Sequence, residues 1–310
     1  MRLKAKKLLA FLTAAVLLMP AAVSSSVMTA SAAGSGVVIN EENFPDEKFR
    51  SYVSENIDTD GNGRLSEEEI KSCEKIDISA EEIADLKGIE YFTAITYLDC
   101  SYNRLAILDI SKNAALTELN CCHNRLSSLN VSKNKKLENL YCSGNRLKKL
   151  NTSNNAVLTE LLCVENWLTS LDLRKNTALT KLYCRSNYLK SLDLNENTAL
   201  TSLDCGSNRL TSLDISKNTA LTELWCFDNK LTNLDVSRNT ALTSLTCFEN
   251  KLTSLDVSKN KELTNLYCED NKLQKLDVSQ NKKLYSLNCS GNPLEKPILA
   301  EGQEIGDLKY

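Results

Sequence analysis

Residues 221–241 read LTELWCFDNKLTNLDVSRNTA, and units of this same length and pattern follow one another along most of the chain. Leucine stands at positions 1, 4, 11 and 14 of this unit, cysteine at position 6, and asparagine at positions 9 and 19. A fixed period of this length indicates a solenoid, in which each short unit packs on its neighbours. Ten units follow one another without insertion, and they begin at Ile95, Leu116, Leu137, Leu158, Leu179, Leu200, Leu221, Leu242, Leu263 and Leu284.

The spacing of the apolar residues predicts one short strand in each unit, at positions 3 to 6. Strands of successive units would pair in parallel about 4.8 Å apart, which makes ten units a curved stack on the order of 50 Å long. Positions 1, 4, 6, 11, 14 and 16 would point into the core, with Thr152 as the main polar exception. We expect the asparagines to bond the backbone at the bends, because an amide both donates and accepts hydrogen bonds.

Ten of the twelve cysteines stand at position 6, and they are Cys100, Cys121, Cys142, Cys163, Cys184, Cys205, Cys226, Cys247, Cys268 and Cys289. Buried free cysteine behaves as a small apolar residue, so we expect a stack of packed thiols. Disulfide pairing between neighbours is the alternative, although parallel Cβ vectors suit that bond poorly. A zinc site has few ligands available, since the chain has no Cys-x-x-Cys pair and a single histidine, His123. Cys122 would face outward and be the reactive thiol.

The pattern L-x-x-L-x-C-x-x-N-x-L matches the leucine-rich repeat, with cysteine in place of the third leucine. Repeats of this kind resemble those of the internalin family of Gram-positive surface proteins, in particular the members whose cysteines stack as a ladder. The resemblance covers about residues 73–304, with residues 73–94 as an atypical first repeat that is one residue longer than the others. It implies a right-handed leucine-rich repeat solenoid of the α/β horseshoe class, with mostly short parallel β-strands and little helix. It also implies a binding role, and it carries over no catalytic residue.

Residues 1–32 have the features of a signal peptide, with four basic residues, an apolar run from Leu8 to Met19 and the small-residue sequence Ala30-Ser31-Ala32. We therefore expect a secreted protein, extracellular or associated with the cell surface, without a transmembrane segment in the mature chain. Residues 40–76 are expected to form a helical EF-hand-like cap and residues 73–304 the repeat solenoid. The last residues, 305–310, are expected to be a C-terminal tail.

The sequence DTDGNGRLSEEE at residues 58–69 fits the twelve-residue EF-hand loop, D-x-[DN]-x-[DN]-G-x5-E. Ca²⁺ takes six to eight oxygen ligands, which alternate positions of this loop would supply around the turn at Gly63. Apolar residues recur at helical spacing before the loop, so it would join two helices at the start of the solenoid. Because calcium is abundant outside cells, we expect a structural ion and not a sensor. The predicted calcium ligands are Asp58, Asp60, Asn62, Arg64 (through its carbonyl) and Glu69.

Positions 3, 5, 7 and 8 would form the concave face of the solenoid. Large apolar and aromatic side chains gather there between the third and ninth repeats, and exposed patches of this kind mark contact sites. Scattered aromatics on a solvated sheet are the alternative interpretation. The predicted ligand-binding residues are Tyr141, Tyr183, Trp225, Phe227, Phe248 and Tyr267.

Charged residues also recur in register. Position 10 is basic in seven repeats and position 8 acidic in four, which we interpret as charge balance along a solvated edge. Trp167 and Tyr188 interrupt the basic position and would extend the aromatic patch. The formal net charge is −3, and the four basic residues of the leader leave −7 for the rest of the chain. A mildly acidic surface argues against nucleic acid as the main partner.

Together these features predict a monomeric, secreted binding protein whose concave face takes an extracellular protein or glycan, with calcium in the loop. One histidine, no nucleophile motif and no convergent acid pair argue against an enzyme. Two alternatives stay open. The chain is either a non-catalytic structural spacer of the cell envelope, or the recognition part of a larger protein or enzyme that continues beyond residue 310.

Overall fold

A computed structural model describes residues 36–310, and the predicted signal peptide lies outside this range. Its main feature is a sheet of twelve strands in chain order, each parallel to the next. Every strand contains three residues, and the central one is buried in all but the last strand, where it is half-buried. The strands are β3 (Lys75–Asp77), β4 (Tyr97–Asp99), β5 (Glu118–Asn120), β6 (Asn139–Tyr141), β7 (Glu160–Leu162), β8 (Lys181–Tyr183), β9 (Ser202–Asp204), β10 (Glu223–Trp225), β11 (Ser244–Thr246), β12 (Asn265–Tyr267), β13 (Ser286–Asn288) and β14 (Asp307–Lys309).

Successive strands pair in the register that the repeat predicts. Trp225 lies between Asp204 and Thr246, which hold the same position in the preceding and the following repeat. The first pair, in which Ile76 faces Leu98, spans the longer first repeat and keeps the same alignment of buried residues. The leucine-rich repeat solenoid with little helix is therefore confirmed.

The ten position-6 cysteines are buried in one continuous core with the leucines, and all twelve cysteines are free thiols. Ile78 occupies the place in the first repeat that Cys100 holds in the next, and it is also buried. Burial raises the pKa of the ladder thiols, to about 12 at Cys163 and Cys226. The ladder cysteines therefore act as neutral packing groups.

The two cysteines outside the ladder are both half-buried. The repeat spacing predicts Cys73 inside the core, but it only packs against the core's margin, and burial raises its pKa to about 11. Cys122 faces outward as expected, yet burial also raises its pKa. The reactivity expected of Cys122 stays a prediction, and the raised pKa means that its thiolate would form mainly at alkaline pH.

The asparagines at position 9 join neighbouring repeats through the bend after each strand. The side-chain nitrogen of Asn229 donates to the carbonyls of Cys205 and Cys226, at 3.0 and 3.3 Å. Its side-chain oxygen accepts from the backbone nitrogen of Leu210 at 2.9 Å. The same set recurs from Asn103 to Asn292. Each amide thus satisfies backbone groups in two repeats.

The asparagines at position 19 form a second buried ladder. Their side-chain nitrogens donate hydrogen bonds, whereas most of their side-chain oxygens accept none within residues 36–310. Asn218 Nδ2 donates to the carbonyls of Leu194 and Asn197, at 3.1 and 2.8 Å. Its Oδ1 has no partner within the described residues, and the same holds for seven equivalent asparagines. Asn176 differs, because Thr152 Oγ1 donates to its Oδ1 at 2.8 Å. Thr152, the polar residue among the inward-facing positions, therefore supplies a hydrogen-bond donor that the other repeats lack.

The N-terminal segment contains two helices and a pair of short antiparallel strands. Strand β1 (Val37–Val38) pairs antiparallel with β2 (Arg64–Leu65), helix α1 spans Glu47–Asn56 and helix α2 spans Glu67–Ser72. Its apolar residues, including Phe44 and Phe49, belong to the same core as the repeats. Phe44 lies so close to Gly88 (φ 103°) that a Cβ at this glycine would collide with its ring. The segment therefore packs directly on the first repeat.

Asp46 joins α1 to the first repeat with one carboxylate. Its Oδ1 accepts from the backbone nitrogens of Lys48 and Phe49, which caps the helix. Its Oδ2 accepts from the backbone nitrogen of Ala84, in the first repeat, at 2.8 Å. Helix α2 begins with a capping box between Ser66 and Glu69.

The C-terminal residues continue the solenoid, which corrects the expected tail at 305–310. Leu308 in β14 faces Leu287 in β13, in the same register as the preceding pairs. Ile305 and Leu308 stand one full repeat after Leu284 and Leu287, so the repeat pattern itself carried this signal. Gln303 Nε2 donates to the carbonyl of Asn281 at 3.0 Å and so replaces the missing position-19 asparagine.

Thr152 allows a direct test of the second asparagine ladder. Thr152→Val should lower the free energy of unfolding by about 0.5–1.5 kcal/mol, the net value of one hydrogen bond, because it leaves Asn176 Oδ1 without a donor as in the eight equivalent asparagines. Urea denaturation measures the change. Thr152→Ser keeps the hydroxyl and should retain most of the stability. A valine variant as stable as the wild type would contradict this role of Thr152.

Thiol accessibility tests the packing of the cysteine ladder. In native buffer, iodoacetamide should modify Cys122 and Cys73 alone, and the ten ladder cysteines only after denaturation. The rate at Cys122 should be low at pH 7 and rise about tenfold per pH unit, since the thiolate is the reacting form and the pKa is raised. Peptide mass spectrometry follows each site. Uniform native labelling of all twelve cysteines would refute a packed ladder.

Candidate functional site

The structure places the predicted calcium ligands in the turn between α1 and α2. Asp58 and Glu69 are buried, whereas Asp60 and Asn62 are exposed. Asp58 accepts from the backbone nitrogens of Asn62 and Gly63, at 3.2 and 2.9 Å, which folds the loop around its carboxylate. Gly63 has a φ of 75°, as the sharp turn requires.

Glu69 closes the loop from the first turn of α2. Its two carboxylate oxygens accept hydrogen bonds from the backbone and hydroxyl groups of Thr59 and Ser66, at 2.7–2.8 Å. Burial alone would raise the pKa of Glu69, but these bonds outweigh it and lower the pKa to about 2. Glu69 is therefore an anion throughout the physiological pH range.

The donor set has the dimensions of a calcium site. One carboxylate oxygen each of Asp58, Asp60 and Glu69 lies within 4.8 Å of the others. Ligands at about 2.3–2.6 Å from one Ca²⁺ ion must lie within about 5 Å of each other, so these three groups fit the ion. The backbone of Arg64 is in β2 and pairs with Val38. The sequence pattern did not indicate this pairing, which ties the loop to the start of the described chain.

The six predicted ligand-binding residues of the concave face are all half-buried and stand in two separate positions of the repeat. The rings form two close pairs and two isolated members. Phe227 stacks on Phe248 with centroids 4.7 Å apart and an angle of 15°. Tyr183 meets Trp225 edge to face at 6.3 Å, across the intervening strand β9.

Tyr141 and Tyr267 stand apart from these rings and use their hydroxyls. Tyr141 donates to Glu160 Oε2 at 3.2 Å, and the hydroxyl of Tyr267 lies 3.1 Å from that of Ser286. The expected contiguous patch of Trp225, Phe227, Phe248 and Tyr267 is therefore two ring pairs flanked by hydrogen-bonded tyrosines.

Two half-buried carboxylates border the ring pairs. Asp204 lies on β9 between Tyr183 and Trp225, and burial raises its pKa although Arg185 Nε is 3.9 Å away. Glu269 holds the same repeat position as Phe248 in the next unit, and burial raises its pKa as well. Its Oε2 is buried without a hydrogen-bond partner in the described chain. These acceptors give the apolar face a polar, anionic component that sequence reasoning did not single out.

Gly206 is a second feature that the sequence motif did not reveal. The ring of Phe227 covers it so closely that a Cβ there would lie 2.6 Å from Phe227 Cε1. In the sequence, this contact is indicated by a glycine that stands one repeat before an aromatic residue at the same repeat position. Gly206 thus makes room for the Phe227–Phe248 stack.

Comparison with known proteins supports the repeat assignment. No protein-family model matches the chain. It is 40% identical over 70 residues to Internalin J of Listeria monocytogenes serotype 4b (strain F2365), a match that covers 23% of this chain and 8% of Internalin J. The chain thus corresponds to a small part of that protein. Across residues 36–310, none of the helices is both long and apolar enough to cross a bilayer.

Two solved structures extend the likeness over most of the chain. The functional domain of InlJ from Listeria monocytogenes, which includes a cysteine ladder, is 33% identical and superposes with a TM-score of 0.69, covering 86% of this chain and 71% of that one. The internalin inlF of Listeria monocytogenes strain 4b F2365 is 23% identical with a TM-score of 0.79, covering 87% and 86%. Repeat period, cysteine ladder and overall structure agree in one conclusion: the chain belongs to the internalin-type leucine-rich repeat proteins.

Proposed function

We propose that this protein is a secreted or surface-located binding protein that takes a protein or glycan ligand on its concave face. The observation that carries the proposal is the pairing of half-buried rings, Phe227 with Phe248 and Tyr183 with Trp225, beside partly desolvated carboxylates. Rings on a rigid sheet lose little conformational entropy on binding, and aromatic residues dominate binding energy at interfaces. Asp204 and Glu269 would orient hydroxyl or cationic groups of the ligand.

Binding is better supported than catalysis. The polar groups near the rings are carboxylates, a tyrosine and a serine, and Ser202 Oγ donates to Glu223 Oε2 at 3.2 Å. A Ser–His arrangement is not formed there, since the single histidine of the chain, His123, belongs to a different repeat. Internalin-type relatives support an extracellular or surface location, and the signal-peptide features of residues 1–32 agree with it. The protein would act by presenting a rigid surface.

The loop of residues 58–69 would bind one structural Ca²⁺ ion. Asp58, Asp60, Asn62 and Glu69 would contribute side-chain oxygens and Arg64 its carbonyl. The loop connects α1 and α2, whose apolar residues pack into the core at the first repeat. An ion there would neutralise the clustered carboxylates and stabilise the N-terminal cap of the solenoid.

The ring pairs can be tested once a glycan array and a pull-down with the protein have supplied a ligand. Trp225→Ala combined with Phe248→Ala should weaken binding by about 2 kcal/mol or more, since it removes one ring of each pair. Calorimetry measures the affinity and thermal unfolding the stability. Tyr285→Ala, which removes a ring that is 68% exposed and lies elsewhere in the repeat, is the control. Unchanged affinity in the double variant would show that the ligand binds away from the ring pairs and would contradict the proposal.

Calcium binding predicts a stability that depends on the ion. Millimolar Ca²⁺ should raise the melting temperature of the protein, by the linkage between ligand binding and folding. Asp58→Asn should abolish most of this shift, while its single side-chain oxygen retains one of the two acceptors for the loop nitrogens. Glu68→Gln, at an exposed site outside the ligand set, should keep it. The same melting temperature with calcium and with chelator in the wild-type protein would refute the site.

A further inference from the structure

The residues at position 10 form a ladder of their own along one border of the sheet. In the first nine of the ten 21-residue repeats the backbone nitrogen at position 10 donates to the position-11 carbonyl of the preceding repeat: Arg146 to Leu126 at 2.9 Å, for example, and Tyr188 to Leu168 at 2.8 Å. Parallel pairing of this kind spaces neighbouring side chains by about 4.8 Å. The side chains at position 10 therefore stand in a row on a rigid backbone.

Five consecutive members of this row form a surface that we call the arginine–aromatic edge. Its members are Arg125, Arg146, Trp167, Tyr188 and Arg209. They lie in repeats two to six, counted here and below from the 21-residue repeat that begins at Ile95. All five are exposed, and the two rings keep 43% and 41% of their surface open to solvent. The guanidinium carbon of Arg209 lies 4.5 Å from the centroid of the Tyr188 ring, a cation–π contact that holds both groups in place.

The arginines of this edge have no acidic partners. Within residues 36–310, the only position-10 residue with a carboxylate inside 4.0 Å is Arg104. The lysines of repeats seven to nine form no such ion pair either, so the edge differs from them in the composition around it. Its cations are free to meet an external anion.

The composition around the edge separates it from the rest of the row. In repeats seven to nine each lysine at position 10 has an acidic residue two places before it, as in the pairs Asp228–Lys230 and Glu249–Lys251. In repeats two to six only Glu165 has that place, and positions 12 and 13 add three more lysines. These are Lys148, Lys149 and Lys190. The positive charge is thus concentrated around the two exposed rings.

The edge also lies apart from the concave rings. Among the ring contacts of the described residues, none joins Trp167 or Tyr188 to the Tyr183–Trp225 or Phe227–Phe248 pair. In repeats two to six a buried asparagine at position 9 separates this row from positions 7 and 8. Trp167 and Tyr188 therefore belong to a second surface and do not extend the concave patch.

This combination fits one kind of ligand. Exposed ring faces offer stacking surfaces for sugar rings, and the planar guanidinium group matches carboxylate or sulfate oxygens in bidentate geometry. Arg146 and Arg209 stand three repeats apart, about 14 Å at sheet spacing, with both rings between them. A nucleic acid strand carries a phosphate about every 3.4 Å, which is much denser than these cations. A polymer with sparse charges and sugar rings matches the row better.

We propose that the arginine–aromatic edge is a binding site for a linear acidic polysaccharide. Sugar rings of the chain stack on Trp167 and Tyr188, and its carboxylate or sulfate groups pair with Arg146 and Arg209. The site is separate from the concave face and does not depend on the function proposed for that face.

Titration calorimetry of the full chain with size-defined oligosaccharides tests the proposal. The probes are chondroitin sulfate, hyaluronate and polygalacturonate, with neutral cello-oligosaccharides and oligo-dT for comparison. At least one acidic polysaccharide should bind better than either comparison ligand. Its affinity should fall with added salt, because counterions are released when the arginines bind.

Variants locate the binding on the chain. Arg146→Gln combined with Arg209→Gln, and separately Trp167→Ala, should each weaken binding at least tenfold. Lys251→Gln combined with Lys272→Gln removes the same charge from the acid-balanced part of the row and should change affinity less than twofold. All these side chains are exposed, so the melting temperature should stay constant and show that folding is intact.

Three results would overturn the proposal. The first is the absence of binding to all three acidic polysaccharides, and the second is tighter binding of oligo-dT than of any of them. The third is an equal loss in the arginine and lysine double variants, which would indicate unspecific charge attraction. Loss of concave-face binding in Trp225→Ala with retained polysaccharide binding would show that the two surfaces are independent.

Discussion

Each repeat leaves the strand ladder at a bend, and the carbonyl groups that turn inward there are buried and need donors. Asparagine at position 9 supplies them, because its amide donates to carbonyls of two repeats and accepts from a backbone nitrogen of the preceding one. Without this bond the cost of desolvated carbonyls would recur in every unit. The apolar core, the in-register strands and the exposed rows all follow from the bend that asparagine stabilises.

Because the same bend recurs in each repeat, residues at one repeat position form a row along the solenoid. The burial and the chemical type of the side chains in a row decide whether it packs in the core or forms a binding surface. The cysteines at position 6 are buried in the core, where their thiols stay neutral and pack as apolar groups. Rows on the concave face carry the ring pairs, and the row at position 10 carries the arginine–aromatic edge. A solenoid can thus present two different surfaces without any change in its core.

The N-terminal segment shows how the open end of such a stack is closed. Phe44 and Phe49 extend the core beyond the first repeat, and Asp46 connects α1 to the backbone near Ala84. Val38 pairs with Arg64, which fixes the loop between the two helices to the preceding chain. At the other end Gln303 and β14 continue both the asparagine ladder and the sheet.

The sequence by itself determined the repeat boundaries, the strand register and the buried cysteines, because a strict repeat period leaves one inward set of positions. It did not determine how side chains from different repeats meet. Several contacts depend on distances between repeats. They are the ring pairs, the packing of Phe227 over Gly206 and the hydrogen bond from Thr152 to Asn176. Only the tertiary structure decides these contacts, since each residue's partner lies at least one repeat away and its rotamer depends on the whole row.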